Sequence, residues 1–185
     1  MQKNLKILLE SEKSDNSIFD IIQYGSSVKG KSNPNDLDLL VIFFVGNLRE
    51  RLEKVQIIKN KIGLDNIDIK TILLKELFSK EFFARSGVIL EGISLFDEKP
   101  LSEKLGFSSY TLFTYKLTDK NHTEKVKFNY KLSGRNKNEG ILKLFKGKSL
   151  GPGALLVPIS FSLEFEEILK LDKINYSKKN VLIQN

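Results

Sequence analysis

The amino-acid sequence predicts an α+β fold in which a mixed β-sheet is flanked by helices and followed by a smaller basic α+β region. Two observations carry this prediction. Ser17–Tyr24 and Leu37–Phe44 are rich in β-forming residues and are bounded by glycine or polar residues, as strands are. Residues 47–62 instead repeat apolar side chains at helical spacing, between Asn47 as a cap and Gly63 as a stop.

The remaining segments of the first half continue this mixture of helices and strands. Apolar spacing predicts a short helix over residues 4–12 and a second helix over Leu74–Arg85 that Gly87 closes. Apolar and polar residues alternate over Ile67–Leu73, which predicts a third strand. The first half therefore supplies three strands, enough for a small sheet.

Charge and proline at Asp97–Pro100 interrupt the pattern, and we place a domain boundary there. We expect a first domain over residues 1–98 and a second, basic α+β domain over residues 101–185. The elements predicted for the second domain are strands at Tyr110–Leu117, Lys125–Leu132, Ala154–Ile159 and Tyr176–Ile183, and helices at Glu139–Lys146 and Glu164–Leu171.

The composition limits the chemistry that the chain can perform. It has no cysteine, which excludes disulfides, thiolate metal sites and cysteine nucleophiles, and its one histidine excludes histidine-rich metal sites. A metal ion must therefore be held mainly by carboxylates. Such ligands favour hard ions such as Mg²⁺ or Mn²⁺ over structural zinc.

Charge and hydropathy indicate the partners and the compartment. The formal net charge of +7 favours an anionic partner. No apolar run approaches the roughly 20 residues that a membrane-spanning helix needs, and charge interrupts the opening residues. We expect a cytoplasmic protein that does not enter a membrane.

The most informative segment runs from Tyr24 to Val41. Two acidic residues at positions i and i+2 of a strand project from the same face, so Asp36 and Asp38 can bind ions side by side. Asp68 lies between two isoleucines in the third strand. If that strand pairs with the second, three carboxylates converge, as phosphoryl transfer with two metal ions requires.

With these residues in order, the sequence resembles the nucleotidyltransferase superfamily typified by polymerase beta, and in particular its minimal branch. The family pattern is an apolar strand, Gly-Ser, a loop with a further glycine, Asp-x-Asp in a second strand and a third acidic residue in a later strand. The residues that fill these places are Gly25, Ser26, Gly30, Asp36, Asp38 and Asp68. The resemblance covers roughly residues 17–96.

The resemblance implies a palm-like mixed sheet and transfer of a nucleoside monophosphate from an NTP, with ATP as a candidate, to an acceptor hydroxyl with release of pyrophosphate. It implies that Asp36 and Asp38 ligate two Mg²⁺ or Mn²⁺ ions. Asp68 would ligate the catalytic ion and help to deprotonate the acceptor. The three aspartates are thus the catalytic and metal-binding candidates.

A phosphate-binding loop is expected between the first two strands. A glycine at the end of a strand lets a phosphate approach the backbone closely, and hydroxyl groups beside it can bind triphosphate oxygens. Gly25, Ser26, Ser27 and Lys29 are therefore the nucleotide-binding candidates, although a lysine in a loop of a lysine-rich protein is often merely exposed.

The second half carries a concentration of positive charge. Residues 115–150 contain ten basic and three acidic residues, which favours contact with a nucleic acid, RNA above all. On the predicted strand the lysines share one parity and the aromatic residues the other, and a basic turn follows. The nucleic-acid-binding candidates are Lys125, Lys127, Lys131, Arg135 and Lys137.

Two alternatives remain open at the level of sequence. The chain can be a non-catalytic nucleic-acid-binding protein that retains the fold, in which case the acidic residues are incidental. It can also be a minimal nucleotidyltransferase of the toxin or antitoxin type that modifies or binds a protein. The intact acidic triad argues against the first alternative, and no sequence feature tests the second.

Overall fold

The computed structural model describes residues 2–28, 36–135 and 138–185, without the side chains of residues 2–4. It contains two compact units, Met1–Gly106 and Phe107–Asn185. The division between them follows Gly106, beyond the interval at residues 98–101 where the sequence placed the boundary.

The first unit combines helices with one mixed sheet of four strands, in the order β3-β2-β1-β4. β1 is antiparallel to β2 and β4, whereas β2 and β3 run parallel. The α+β class is therefore confirmed. The elements are α1 (Gln2–Leu8), α2 (Glu10–Lys13), β1 (Ile18–Tyr24), β2 (Leu37–Phe43), α3 (Leu48–Ile62), β3 (Ile67–Leu73), α4 (Arg85–Glu91), β4 (Ile93–Ser94) and α5 (Leu101–Lys104).

Helix α3 connects β2 to β3 and makes their parallel pairing possible, because parallel strands need a long crossover between them. It begins with a capping box, in which Asn47 accepts from the backbone N–H of Glu50 and the Glu50 side chain accepts from that of Asn47. Gly63 ends it in the left-handed conformation. Both termini predicted from the sequence are confirmed.

The sheet of the first unit is buried on both faces. One face packs α1 and α3 against the odd-numbered residues of β2, such as Leu39 and Val41. The other face packs α4 and α5 against the even-numbered residues, Leu40 and Ile42. β2 is central and reads as a continuous apolar run because both of its faces are covered.

The predicted helix over Leu74–Arg85 is wrong. Only Leu74–Glu76 form a single 3-10 turn, and α4 begins at Arg85. Beyond this turn the Arg85 guanidinium donates to the carbonyl of Phe78 at 3.0 Å across a loop. Burial of Leu77 needs only that one turn, so its helical spacing was not evidence for a longer helix.

Gly87 lies inside α4, and Gly92 ends this helix instead. A Cβ atom at Gly92 would lie 2.3 Å from the carbonyl oxygen of Val88 and 2.6 Å from the side chain of Ile22. Glycine is therefore required where α4 passes closely over β1.

A buried carboxylate ties β1 to β4 and α5. Asp20 has no exposed surface and accepts hydrogen bonds from the Ile21 N–H at 2.7 Å, Ser94 Oγ at 2.9 Å and Lys104 Nζ at 2.8 Å. Desolvation raises the pKa of Asp20, and the Lys104 ammonium opposes this shift. Lys104 also pairs with Asp97 in the turn after β4, so its ammonium links α5 both to β1 and to that turn.

The second unit has a four-stranded antiparallel sheet in the order β10-β5-β9-β8 and a separate two-stranded hairpin, β6-β7. Its core joins Phe113 of β5 to Phe128 of α6 and Phe165 of α8. The elements are β5 (Phe107–Lys116), α6 (His122–Ser133), β6 (Gly134–Arg135), β7 (Asn138–Glu139), α7 (Ile141–Leu144), β8 (Lys148–Gly151), β9 (Ala154–Pro158), α8 (Ser162–Leu171) and β10 (Asn175–Gln184).

The strand predicted at Lys125–Leu132 is wrong, because this segment belongs to α6. Asn121 and Glu124 form a capping box at its start, and Phe128 and Leu132 bury one helical face. Both signals were present in the sequence, but the alternation of lysine was given more weight. The other predicted strands and the helix at Glu164–Leu171 are confirmed, with shifts at their ends. The helix predicted over Glu139–Lys146 is reduced to Ile141–Leu144, because Glu139 of β7 pairs with Gly134 of β6.

No helix in the described part of the chain is long and apolar enough to cross a membrane.

We predict that Lys104→Met lowers the free energy of unfolding by about 2 kcal/mol, because it leaves the Asp20 carboxyl buried without its cation. Breaking a fully buried pair costs roughly 3–5 kcal/mol, and the 26% exposure of the Lys104 side chain reduces that cost. Urea denaturation measures the change. Lys6→Met, which breaks an exposed pair with Glu98, is the control and should stay close to wild type. Equal effects of the two variants would contradict the assignment.

Candidate active site at the β2–β3 edge

The parallel register of β2 and β3 places two of the predicted catalytic residues opposite each other. Asp38 pairs with Asp68, and Tyr24 of β1 pairs with Asp38 from the other side. Residues at paired positions project from the same face, so these three side chains lie side by side on one face of the sheet. Asp36 directly precedes β2 and is exposed.

Gly25 lies against the Asp38 carboxylate. The glycine adopts a φ of +77°, and a Cβ atom there would lie 2.3 Å from Asp38 Oδ2. The position therefore demands glycine on two grounds, the left-handed backbone and the close approach of the carboxylate. The Gly-Ser motif and the Asp-x-Asp motif are thus parts of one structure.

The electrostatic environment of Asp38 opposes its ionisation. Desolvation is the largest cause that raises the pKa of this carboxyl, and the negative charges of Asp68 and Asp36 raise it further. The Lys70 ammonium lowers it in part. All three predicted aspartates therefore interact electrostatically, and a cation among them would stabilise the charged form of Asp38.

Lys70 and Tyr24 belong to this site although the sequence analysis gave them no role. Lys70 Nζ lies 3.3 Å from Asp68 Oδ2. The Tyr24 hydroxyl oxygen is buried and interacts with the Lys70 ammonium, which lowers the pKa of the tyrosine in part. Desolvation raises the pKa of Tyr24. The pKa of Lys70 is also raised, and its electrostatic interaction with Tyr24 is the largest cause. The spacing of Asp68 and Lys70, two residues apart on one strand, was the available signal.

The aspartates share one edge, but their oxygens do not form a finished metal site. Among residues 2–28, 36–135 and 138–185, no group of three or more carboxylate or imidazole side chains is close enough to hold an ion. Three carboxylates repel one another, and Asp68 is instead neutralised by Lys70. The donor set nevertheless consists of carboxylate oxygens, which suits Mg²⁺ or Mn²⁺. Asp36, Asp38 and Asp68 are the residues that fit such ions.

The turn after β1 forms the described part of the predicted nucleotide-binding loop. Gly25–Ser27 make a single 3-10 turn. Ser27 Oγ donates to the Tyr24 carbonyl at 3.1 Å and so holds the turn closed, whereas the Ser26 side chain has no hydrogen-bond partner among the described residues. Lys29 lies outside the described residues. Ser26 is therefore the better placed of the two hydroxyl groups to receive a ligand.

The predicted nucleic-acid contacts in the second unit do not form the strand face that suggested them. On α6, Lys127 is exposed, Lys125 is half-buried and Lys131 donates to both carboxylate oxygens of Asp172 at 2.7 and 2.8 Å. Arg135 in β6 packs its guanidinium 4.6 Å from the ring of Tyr130. Lys137 lies outside the described residues.

No protein-family model matches the chain, and no curated protein matches it.

We predict that Gly25→Ala lowers the free energy of unfolding by more than about 1 kcal/mol. A left-handed residue with a Cβ costs about 1–2 kcal/mol, and the Asp38 carboxylate must also move. Gly87→Ala is the matched control: it lies in α4 with open space around it, and it should stabilise the protein by up to about 1 kcal/mol. Chemical denaturation measures both. A neutral effect of Gly25→Ala would show that the close approach is not real.

We predict that Asp38→Asn stabilises the metal-free protein at neutral pH. Because the folded state raises the pKa of Asp38 above its ordinary value of 3.8, the folded state binds more protons there than the unfolded chain does. This carboxyl therefore lowers stability as the pH rises from 3.8 through the folded pKa, and the loss persists above it.

The difference in unfolding free energy between variant and wild type, measured in chelator, should shrink as the pH falls toward 3.8. Added Mg²⁺ should stabilise wild type and not the variant, because only a ligand that binds the folded state shifts the equilibrium. A variant that is less stable than wild type at neutral pH in chelator would contradict the electrostatic assignment.

Proposed function

We propose that this chain is a metal-dependent nucleotidyltransferase that moves a nucleoside monophosphate from an NTP to an acceptor hydroxyl. The observation that carries the proposal is the register of β2 and β3, which sets Asp38 opposite Asp68 while Gly25 packs against Asp38. An Asp-x-Asp motif alone has many explanations. Its contact with the Gly-Ser turn and its pairing with a third aspartate support one catalytic arrangement, that of the family the sequence resembles.

In this proposal the chain's own residues bind, orient and deprotonate. Asp36, Asp38 and Asp68 would hold two divalent ions, which when bound neutralise phosphate charge and activate the attacking oxygen. Gly25 lets the backbone adopt the left-handed turn beside Asp38, and the Ser26 hydroxyl donates to a phosphate oxygen. The Asp38 carboxylate occupies the space that a Cβ atom at residue 25 would fill.

The reaction breaks the bond between the α-phosphorus and its bridging oxygen. The acceptor oxygen attacks the α-phosphorus as its proton passes to Asp68, and pyrophosphate leaves with the bonding electrons. Lys70, 3.3 Å from Asp68, neutralises this carboxylate before ions bind; once released from Asp68 in the reaction, its ammonium is placed to meet negative charge on the phosphates. Positioning and charge stabilisation account for most of the catalysis in such a transfer.

A second candidate, a non-catalytic nucleic-acid-binding protein, is favoured by one observation. The Lys70 ammonium already neutralises Asp68, and the described carboxylates do not meet at one point. In an enzyme, Lys70 must give up this contact when ions and nucleotide bind. In a binding protein, the same contact would be permanent.

We predict transfer of label from an NTP labelled at the α-phosphate to one acceptor class when RNA, single-stranded DNA and protein are offered separately with Mg²⁺ or Mn²⁺. Asp38→Asn should lower the rate of transfer by more than about a hundredfold. Loss of a side chain that only hydrogen-bonds to a metal ligand costs about 10–100-fold, and Asp38 is proposed to bind the metal directly. Chelation of the metal should abolish the transfer.

Asp65→Asn is the matched control for this experiment, because Asp65 is an exposed aspartate that lies before β3 and outside the site. It should keep the wild-type rate. Absence of label with every NTP and acceptor, from folded protein that still binds nucleic acid, would favour the binding protein. Label that persists in Asp38→Asn would contradict the proposed site.

A further inference from the structure

The antiparallel sheet of the second unit has two chemically different faces. Phe113, Leu155 and Val157 project toward the helices α6 and α8 and form the core. Residues directly paired across antiparallel strands share a face, so the register defines the members of the other face. This second face, called here the lysine face, includes Tyr110, Leu112, Lys116, Lys148, Leu156 and Lys179.

One row of the lysine face crosses all four strands in register. Lys148 of β8 pairs with Leu156 of β9, Leu156 with Leu112 of β5, and Leu112 with Lys179 of β10. The row therefore reads lysine, leucine, leucine, lysine from one edge strand to the other. Three strand spacings separate the two lysines by roughly 14 Å. Lys148 and Lys179 are exposed, Leu112 is half-buried and Leu156 is buried, so the positively charged margins of the row, and not its apolar centre, are open to a ligand.

The charge of this sheet has one sign. Its four strands, all of them described, contain no aspartate and no glutamate. Lys116, Lys148 and Lys179 are exposed, and none of them makes an ion pair with a described residue. Lys178 on the opposite face behaves differently, since it pairs with Glu166 of α8. The lysine face therefore presents positive charge that no described carboxylate neutralises.

Tyr110 supplies an aromatic surface beside the charged row. It is half-buried and lies next to Leu112 in the pattern of the lysine face, between Pro158 and Val181 in register. The Lys148 ammonium lies 6.0 Å from the centre of its ring. An aromatic ring with cations around it is how proteins bind bases and phosphates of a single strand together.

We propose that the lysine face binds single-stranded nucleic acid, with one base stacked on Tyr110 and the backbone phosphates against Lys116, Lys148 and Lys179. A four-stranded sheet of this width accommodates two or three bases. Duplexes are not expected to bind here, because their bases are already stacked and cannot reach the tyrosine. That the bound strand is the acceptor of nucleotidyl transfer rests on the proposed function.

The lysine face suits this role better than α6, where the sequence analysis placed the contact. On α6, Asp172 already neutralises Lys131, and Lys125 is half-buried. The lysines of the face are exposed and make no ion pair with a described residue. Unpaired cations release counterions on binding, and this release is the main source of affinity for phosphate backbones.

Fluorescence anisotropy with the full chain and a labelled short oligo-U, oligo-dT or duplex tests the proposal. Wild type should bind both single strands and not the duplex; tighter binding of oligo-U would indicate contact with the 2′-hydroxyl. The triple variant Lys116→Gln, Lys148→Gln, Lys179→Gln should lose at least about tenfold in affinity. The slope of log affinity against log salt should fall in magnitude by about 2, since each phosphate contact contributes about 0.7.

The matched control removes three exposed lysines of the first unit, as Lys59→Gln, Lys80→Gln, Lys99→Gln. It changes the net charge of +7 by the same amount and should keep the wild-type affinity and salt slope. Tyr110→Leu should weaken binding about tenfold through lost stacking, and Tyr110→Phe should retain it. Circular dichroism checks that each variant is folded.

Equal losses in both triple variants would overturn the proposal, because binding would then follow net charge alone. If affinity falls only in the double variant Lys125→Gln, Lys127→Gln, the contact lies on α6 and the proposal is wrong. Binding of the duplex, or binding of no oligonucleotide at all, would also overturn the proposal. Asp38→Asn should bind as wild type does. If the protein binds single strands but transfers no nucleotide, the proposed function fails and this inference stands. If it transfers nucleotides to a strand that the lysine-face variants bind as tightly as wild type, this inference fails and the proposed function stands.

Discussion

The parallel pairing of β2 with β3 is the constraint on which the candidate site depends. Its register sets Asp38 opposite Asp68, and a shift of one residue would turn one of the two carboxylates into the core. Ile67 and Ile69 of β3, on either side of Asp68, pack into the core against α3 and so oppose that shift. The hydrophobic pattern that stabilises the fold therefore also fixes the placement of the carboxylates.

The same placement is costly for the protein without a ligand. Asp38 is desolvated, faces two like charges and is approached by the backbone of Gly25. Lys70 relieves part of this repulsion at Asp68 and also interacts with the buried Tyr24 hydroxyl. Such unfavourable local electrostatics, held in place by a well-packed sheet, is expected where a cation is to be bound.

Much of the fold followed from the sequence, and the errors have specific causes. Helix α3 was predictable because its apolar spacing agreed with its caps. Strands β1 to β3 were predictable because short runs of β-forming residues are bounded there by glycine or polar residues. The segment at Lys125–Leu132 failed because lysine alternation imitated a strand, although the capping box at Asn121 indicated a helix. The order of the three aspartates could be recognised in the sequence. Lys70 was overlooked although it lies two residues from Asp68 on the same strand. The lysine face could not be predicted, because it arises from register between strands distant in sequence, which periodicity cannot supply.

The most direct test of the central claim is the position of bound metal. A crystal structure with Mn²⁺ and a non-hydrolysable NTP, analysed by anomalous scattering, would locate each ion independently of activity. The account predicts peaks within about 2–2.5 Å of carboxylate oxygens of Asp36, Asp38 and Asp68, with Lys70 displaced from Asp68 and the triphosphate beside Gly25. Nucleotide and metal bound elsewhere, with the contact between Lys70 and Asp68 intact, would contradict it.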